Sequence, residues 1–135
     1  MASMEGKVIA ITGGASGIAL ATARILSSRG AKISIADVSE PNLEKAKASI
    51  QAASPTSEEV MATKCDVRKF TEVQGWIRAT VDKFGKLDGA ANLAGVSGGA
   101  YGGGGLADED EDNWNNVIAI NLTVSRASYT YRDCV

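Results

Sequence analysis

The sequence predicts an α/β fold, a doubly wound parallel sheet of four strands in the order 3-2-1-4 with helices on both faces. Three observations predict it. Short apolar runs alternate with longer stretches of helical period, the pattern of strands joined by helical crossovers. The first strand reads as a continuous apolar run, as strands buried on both faces do, and such crossovers are right-handed. A glycine-rich turn joins the first strand to the first helix, and an acid ends the second strand.

Val8-Ile9-Ala10-Ile11 is bounded by turn residues and reads as the first strand. A helix follows from about Ser16 to Arg29, with Ile18, Ala21, Ile25 and Leu26 at helical spacing and Gly30 as its stop. Ala31 to Ala36, built around Ile33 and Ile35, is the second strand. Ser39 stands where it can cap the second helix, with Pro41 in the first turn. Leu43, Ala46, Ile50 and Ala53 form that helix's inner stripe, and Glu44, Lys45 and Lys47 face water. Pro55 falls in a loop. Val60 to Lys64 is the third strand, weaker in composition because Met61-Ala62-Thr63 is not strongly β-forming.

The third helix is the most regular segment. Val73, Trp76, Ile77, Thr80, Val81 and Phe84 recur at helical spacing, and Gly85 stops it. Leu87 to Ala91 is the fourth strand. Gly98 to Gly105 is a glycine loop of the kind that serves either as a lid or as a connector. Asp108 to Asp112 is an acidic run that favours a helix N-terminus through the macrodipole, and it reads as a solvated helix start rather than a metal site. The fourth helix carries Trp114, Val117, Ile118 and Asn121 on one face, predicted to be buried, so the amide of Asn121 must find partners.

A chain of 135 residues, 44 % hydrophobic and 22 % charged, suits one domain with a real core. A net charge of −2 without a basic block points away from nucleic acid and anionic membranes. Histidine is absent, which removes the commonest general base and metal ligand, and no metal site is expected. Cys65 and Cys134 lack metal-ligand spacing and read as reduced thiols of a cytoplasmic protein. Met1 to Lys7 hold no long apolar stretch, and Val8 to Ile11 is too short for a signal peptide or a membrane span. There is no internal repeat of supersecondary length.

The turn reads Thr12-Gly13-Gly14-Ala15-Ser16-Gly17-Ile18-Ala19. Gly13 permits a tight turn off the strand, Gly17 leaves room for a pyrophosphate at the backbone, and Ala19 allows close helix–strand packing. The helix start at Ser16, Gly17 and Ile18 offers N–H groups and a partial positive charge to a diphosphate. Asp37 lies about 20 residues beyond Gly17, where a carboxylate accepts both ribose hydroxyls of an adenosine. Alone, the turn is a common structural device and Asp37 a solvated loop acid. Together, in strand–turn–helix context, they describe a Rossmann-type dinucleotide site. The carboxylate repels a 2′-phosphate, and neither Gly14 nor Val38 is a basic residue that would reverse this, so NAD is expected over NADP.

From about Lys7 to Thr123 the chain resembles the short-chain dehydrogenase/reductase family. Thr12-Gly13-x-x-x-Gly17-Ile18-Ala19 is similar to the family's TGxxxGxG, with Ala19 in place of the last glycine, and Glu5-Gly6-Lys7-Val8 is a family-like opening. Cys65-Asp66-Val67 resembles the stretch that holds the adenine, which implies that Asp66 accepts from the adenine amino group and Val67 packs on the ring. Asn92-Leu93-Ala94-Gly95 resembles the NNAG motif, with Leu93 in place of the second asparagine. The likeness implies that it stabilises the sheet and lines the nicotinamide-ribose side, with Asn92, Ala94 and Gly95 as cofactor-site residues. Asn121, in Ile120-Asn121-Leu122, resembles the asparagine of the family's Asn-Ser-Tyr-Lys tetrad, which implies a water held in a proton relay; a core amide satisfied by backbone is the plainer reading. The wording of the N-terminal half also resembles fungal members that serve secondary metabolism.

The resemblance implies a Tyr-x-x-x-Lys pair that these residues lack. Tyr101 is followed four positions on by Gly105, Tyr129 by Asp133 and Tyr131 by Val135, and Arg132 is at the wrong spacing and stays charged. Ser125 and Ser128 fall on or just beyond the fourth helix rather than on a fifth strand. Residues 125–135 lack an apolar stripe, so a cofactor-binding domain over residues 1–124 and an irregular tail replacing the family's continuation are expected, as in a truncated chain. Leu87 to Ala91 would then form an exposed apolar edge, favouring low stability and a homo-oligomer or aggregate. The expected function is NAD-dependent alcohol/ketone interconversion on a small molecule, against an NAD-binding module without catalysis or an inactive remnant.

Overall fold

A computed structural model describes residues 3–54, 60–98 and 110–122. Its elements run β1 (Val8–Thr12), α1 (Gly17–Ser28), β2 (Lys32–Asp37), α2 (Glu40–Ala53), β3 (Val60–Lys64), α3 (Phe70–Phe84), β4 (Gly89–Asn92) and α4 (Glu111–Asn121). The strands pair in parallel in the order β3-β2-β1-β4, as expected. Ile9 lies opposite Ile33 on one side and Gly89 on the other, and Ile33 lies opposite Val60.

Successive strand side chains point to opposite faces, and here both faces are covered. Ile11, Ile33 and Ile35 pack with Leu43, Ala46 and Ile50 under α1 and α2. Val8, Ala10 and Ala36 pack with Val73, Trp76, Ile77 and Leu87 under α3. Two polar side chains, Ser34 and Thr80, are buried in that second layer and are fully partnered. Ser34 Oγ accepts from Trp76 Nε1 at 2.8 Å and lies 2.7 Å from Thr80 Oγ1, whose own proton goes to the Trp76 carbonyl at 2.9 Å. Ser34 is therefore the donor to Thr80, and the three residues close a chain of hydrogen bonds. Gly85, at φ +80°, ends α3 in the left-handed conformation, and its N–H donates to the Val81 carbonyl at 2.7 Å.

The structure corrects four readings. The inner face of α1 is Ala19, Ala23 and Ser27, while Ile18 is 78 % exposed and Ile25 and Ala21 also face outward. The short glycine turn brings α1 close to the sheet, and only small side chains fit between them. Ser39 sits at the start of α2 but makes no side-chain cap; its N–H instead donates to Asp37 Oδ1 at 3.1 Å. Leu87 precedes β4 and is buried, and β4 itself is Gly-Ala-Ala-Asn, so this flank does not present the large apolar edge expected of it. The fourth helix buries none of its residues, and Asn121 is exposed. Pro55, the glycines from 99 to 105, the acids at 108 and 109, Cys134 and residues 125–135 lie outside the described residues.

Candidate functional site

In an open parallel sheet, the crevice beyond the carboxyl ends of the strands forms where the strand order reverses. Here the order reverses at β1, whose neighbours are β2 and β4. A cleft of about 590 Å³ lies there, lined by the β1–α1 turn, the residues after β2, β3 and β4, and two residues of α4.

The turn is built by glycines for different reasons. Gly13 takes φ +69°, and a Cβ there would stand 2.8 Å from Ala94 Cα, so the chain leaving β1 passes directly against the chain leaving β4. Thr12 fixes the same junction, its buried Oγ1 accepting from Leu93 N at 3.0 Å and Ala94 N at 3.1 Å. A Cβ on Gly14 would lie 2.5 Å from Ile35 Cβ, so Gly14 is the close-packing glycine over β2. Gly17 takes φ +53° at the first position of α1 with open space beside it.

The start of α1 suits an anion. Ser16 makes no side-chain bond to the first turn, and that turn holds no acid. The start of α4 is the reverse: Asp110 accepts from Asn113 N at 3.2 Å, and Glu111 and Asp112 follow.

Asp37 ends β2 beside this turn. Its Oδ2 accepts from Ala15 N at 3.2 Å and its Oδ1 from Ser39 N at 3.1 Å. Two backbone donors thus hold the carboxylate at the cleft wall, and each oxygen keeps acceptor capacity for a ligand hydroxyl.

The wall after β3 is more tightly wired. The Asp66 carboxylate is gripped by Arg68, with Nη2 to Oδ2 at 2.7 Å and Nε at 2.9 and 3.1 Å from the two oxygens. The Arg68 guanidinium holds Asp66 below the usual carboxylate range. Arg68 Nη1 also donates to Asn116 Oδ1 of α4 at 2.9 Å. Cys65 lines the cleft as a protonated thiol, pushed up to about 11 by burial and by the negative charges of Glu72 and Asp66, so it is an apolar wall and not a nucleophile.

Of the residues expected at a cofactor site, Gly13, Ser16, Gly17, Ile18, Asp37, Asp66, Val67, Ala94 and Gly95 line this one cleft. Asn92 does not line it; it ends β4 opposite Thr12. Asn121 does not line it either, but clamps a residue that does: Asn121 Oδ1 accepts from Val96 N and Nδ2 donates to Val96 O, both at 2.8 Å. Sequence reasoning missed Arg68, Val96, Asn116 and Ile120 as wall residues. Arg68 had a readable signal, since it follows Asp66 by two positions; the α4 residues had none, because their approach depends on the return of the chain.

A sequence profile described as short chain dehydrogenase matches residues 7–127. The chain belongs to that family. A short-chain dehydrogenase/reductase, aba4, of Botryotinia fuckeliana (strain B05.10) is 51 % identical over 117 residues, covering 87 % of this chain and 45 % of its own length. Chanoclavine-I dehydrogenase of Aspergillus fumigatus is 41 % identical over 125 residues, covering 90 % of this chain and 48 % of its own. Among solved structures, NAD⁺-bound xylitol dehydrogenase superposes with a TM-score of 0.85 at 31 % identity, over 99 % of this chain and 48 % of that one. The chain thus spans about half the length of the short-chain dehydrogenases it matches. Among the described residues, no helix is long and apolar enough to cross a membrane.

Proposed function

We propose that this chain binds NAD in the cleft at the carboxyl end of β1, as the cofactor-binding half of an oxidoreductase that interconverts an alcohol and a ketone on a small molecule. The observation that carries the proposal is the pairing of an uncapped, acid-free helix start at Ser16 and Gly17 with a carboxylate, Asp37, that backbone donors hold at the wall of the same cleft. The residues fit the cofactor. The α1 start takes the diphosphate, Asp37 the adenosine ribose, Val67 and the Asp66–Arg68 pair the base, and Ala94 and Gly95 the nicotinamide-ribose side. Asn121 positions that side by fixing the backbone of Val96 and is the one tetrad residue in these 135 positions.

NAD supplies a hydride acceptor when bound. The chain's own residues hold and orient it; none of the tyrosines is followed by a lysine four positions on, so these residues do not supply the family's proton-exchange pair. The likeness to chanoclavine-I dehydrogenase supports a substrate from secondary metabolism. Cytoplasmic placement, with Cys65 reduced, and a homo-oligomer complete the reading.

Calorimetric titration with NAD and NADP tests the cofactor assignment. NAD is expected to bind at least about tenfold more tightly than NADP, and Asp37→Ala to weaken NAD by about tenfold while narrowing that ratio, as loss of hydrogen bonds to a charged group predicts. Absence of heat and of any thermal shift at millimolar NAD would overturn the proposal.

A further inference from the structure

Asp66 and Val67 line the base end of the cleft on backbone that has already left the sheet. Cys65 N still donates to the Asp37 carbonyl at 2.9 Å. The next donor, Asp66 N, goes to a side chain: Glu72 Oε2 accepts it at 2.8 Å. Glu72 stands in the first turn of α3, three residues after the N-cap Lys69. An acid at that position ordinarily reaches back to the N-cap N–H. Here the Lys69 N–H already donates to the Asp66 carbonyl at 2.9 Å, and the lysine side chain has no acceptor for the helix start. Glu72 reaches past the cap to Asp66 instead, while its Oε1 accepts from Lys69 Nζ at 2.9 Å. Glu72 does not itself line the cleft.

We propose that Glu72 is a positioning residue for the base of the dinucleotide: by holding the Asp66 N–H it fixes the Asp66 carboxylate where an exocyclic amino group can donate to it. The inference rests on the NAD reading and deepens it. A carboxylate has about four acceptor positions. Three protons of Arg68 meet Asp66: the backbone N–H at 3.0 Å and Nε–H at 2.9 Å on Oδ1, and Nη2 at 2.7 Å on Oδ2. Oδ2 keeps an acceptor position for the cleft. Arg68 does not set where that oxygen stands, because it lies on the same turn and moves with it. Its own outside partner, Asn116, belongs to α4, which buries none of its residues. Glu72 belongs to α3, which Val73, Trp76 and Ile77 anchor to the sheet. The bond from Asp66 N to Glu72 thus ties the turn to the core.

Nicotinamide hypoxanthine dinucleotide carries a carbonyl where adenine has its amino group and is the probe. Calorimetry on the full chain measures its Kd beside that of NAD, with thermal melting of each variant. The wild type is expected to favour NAD by about tenfold, as a hydrogen bond to a charged group predicts. Glu72→Ala and Glu72→Leu each leave Asp66 N without its acceptor; NAD binding weakens, and the preference falls to about threefold or less. Glu72→Gln keeps a carbonyl oxygen for Asp66 N and retains the preference. Lys69→Met removes the other partner of Glu72 and leaves Asp66 N untouched. It retains the preference too, so a fall confined to the alanine and leucine variants is not a loss of charge at the helix start. A lowered melting temperature with the preference intact in those two variants overturns the inference, because Glu72 then serves the fold alone. So does a preference lost equally in Glu72→Gln or Lys69→Met, or a wild type that shows none. A wild type that binds neither dinucleotide overturns the NAD reading and this inference with it, whereas the other outcomes leave NAD binding standing.

Discussion

The helices α3 and α4 each carry a tryptophan on an apolar stripe, and they end differently. In α3, Trp76 is buried against the sheet with Val73 and Ile77, and its indole N–H is satisfied by Ser34. In α4, Trp114 is 51 % exposed, Ile118 and Leu122 are exposed too, and no residue of the helix is buried. Apolar contact with β1 and β2 holds α3. Side-chain bonds hold α4 at the cleft: Arg68 to Asn116 and Asn121 to Val96. An apolar stripe states what a helix can bury, and a facing surface decides what it does bury. The α3 flank is built as core; the α4 flank is a wall of the cleft, steadied by directional contacts that fix a position with little burial.

The largest test of this contrast is a pair of truncations read by chemical denaturation. Trp76→Ala removes a buried ring and strands the Ser34–Thr80 pair, with an expected loss of about 3–5 kcal/mol. Trp114→Ala is expected to cost less than about 1 kcal/mol, as a substitution outside the core does. Equal losses would mean that α4 is packed as α3 is.

Glycines give the next test. A methyl on Gly14 meets Ile35 at 2.5 Å, so Gly14→Ala is expected to destabilise by about 1–3 kcal/mol through overpacking. Gly75, in mid-α3 and exposed, has open space beside it and ordinary helical backbone, so Gly75→Ala is expected to stabilise by about 0.5–1 kcal/mol. Melting temperatures moving in the same direction for both would break the distinction between a packing glycine and a tolerated one.

The smallest test is electrostatic and concerns how the β4 flank is tethered. Asp88, just ahead of β4, accepts from Val8 N at 2.9 Å and from Lys7 Nζ at 3.1 Å, and pairs with Lys86 at 2.9 Å. The Val8 N–H, followed by Lys86, holds its carboxyl far below the ordinary range. A carboxyl depressed in the folded state contributes stability that is full above its unfolded pKa of about 3.9 and is lost as pH falls through the folded value. The melting temperature should therefore drop on acidification below about pH 4, and less steeply in Asp88→Asn. Identical slopes for the two proteins would remove Asp88 from the account.

Much of this was legible in the residues themselves. The strand order and the stripes of α2 and α3 follow from periodicity, the convergence of Gly13, Gly17 and Asp37 on one cleft from motif spacing, and that of Asp66 and Gly95 from the family resemblance. The inner face of α1 was not, because a stripe of Ile18 and Ile25 outweighs Ala19 and Ala23 by apolarity, while the closeness of helix and sheet rewards small size. Nor was the role of Gly14, which is set by Ile35 on another strand.

The sequence by itself determined the fold class, the topology and the dinucleotide-type turn, because these rest on local period, turn chemistry and spacing along the chain. Only the tertiary structure decided which distant polar groups spend their hydrogen bonds on one another: Arg68 on Asn116, Asn121 on Val96 and Asp37 on Ala15. Several of those partners lie far apart in the chain. A hydrogen bond is satisfied within about 3 Å, so its partner is chosen by where the chain returns and not by which residues are present.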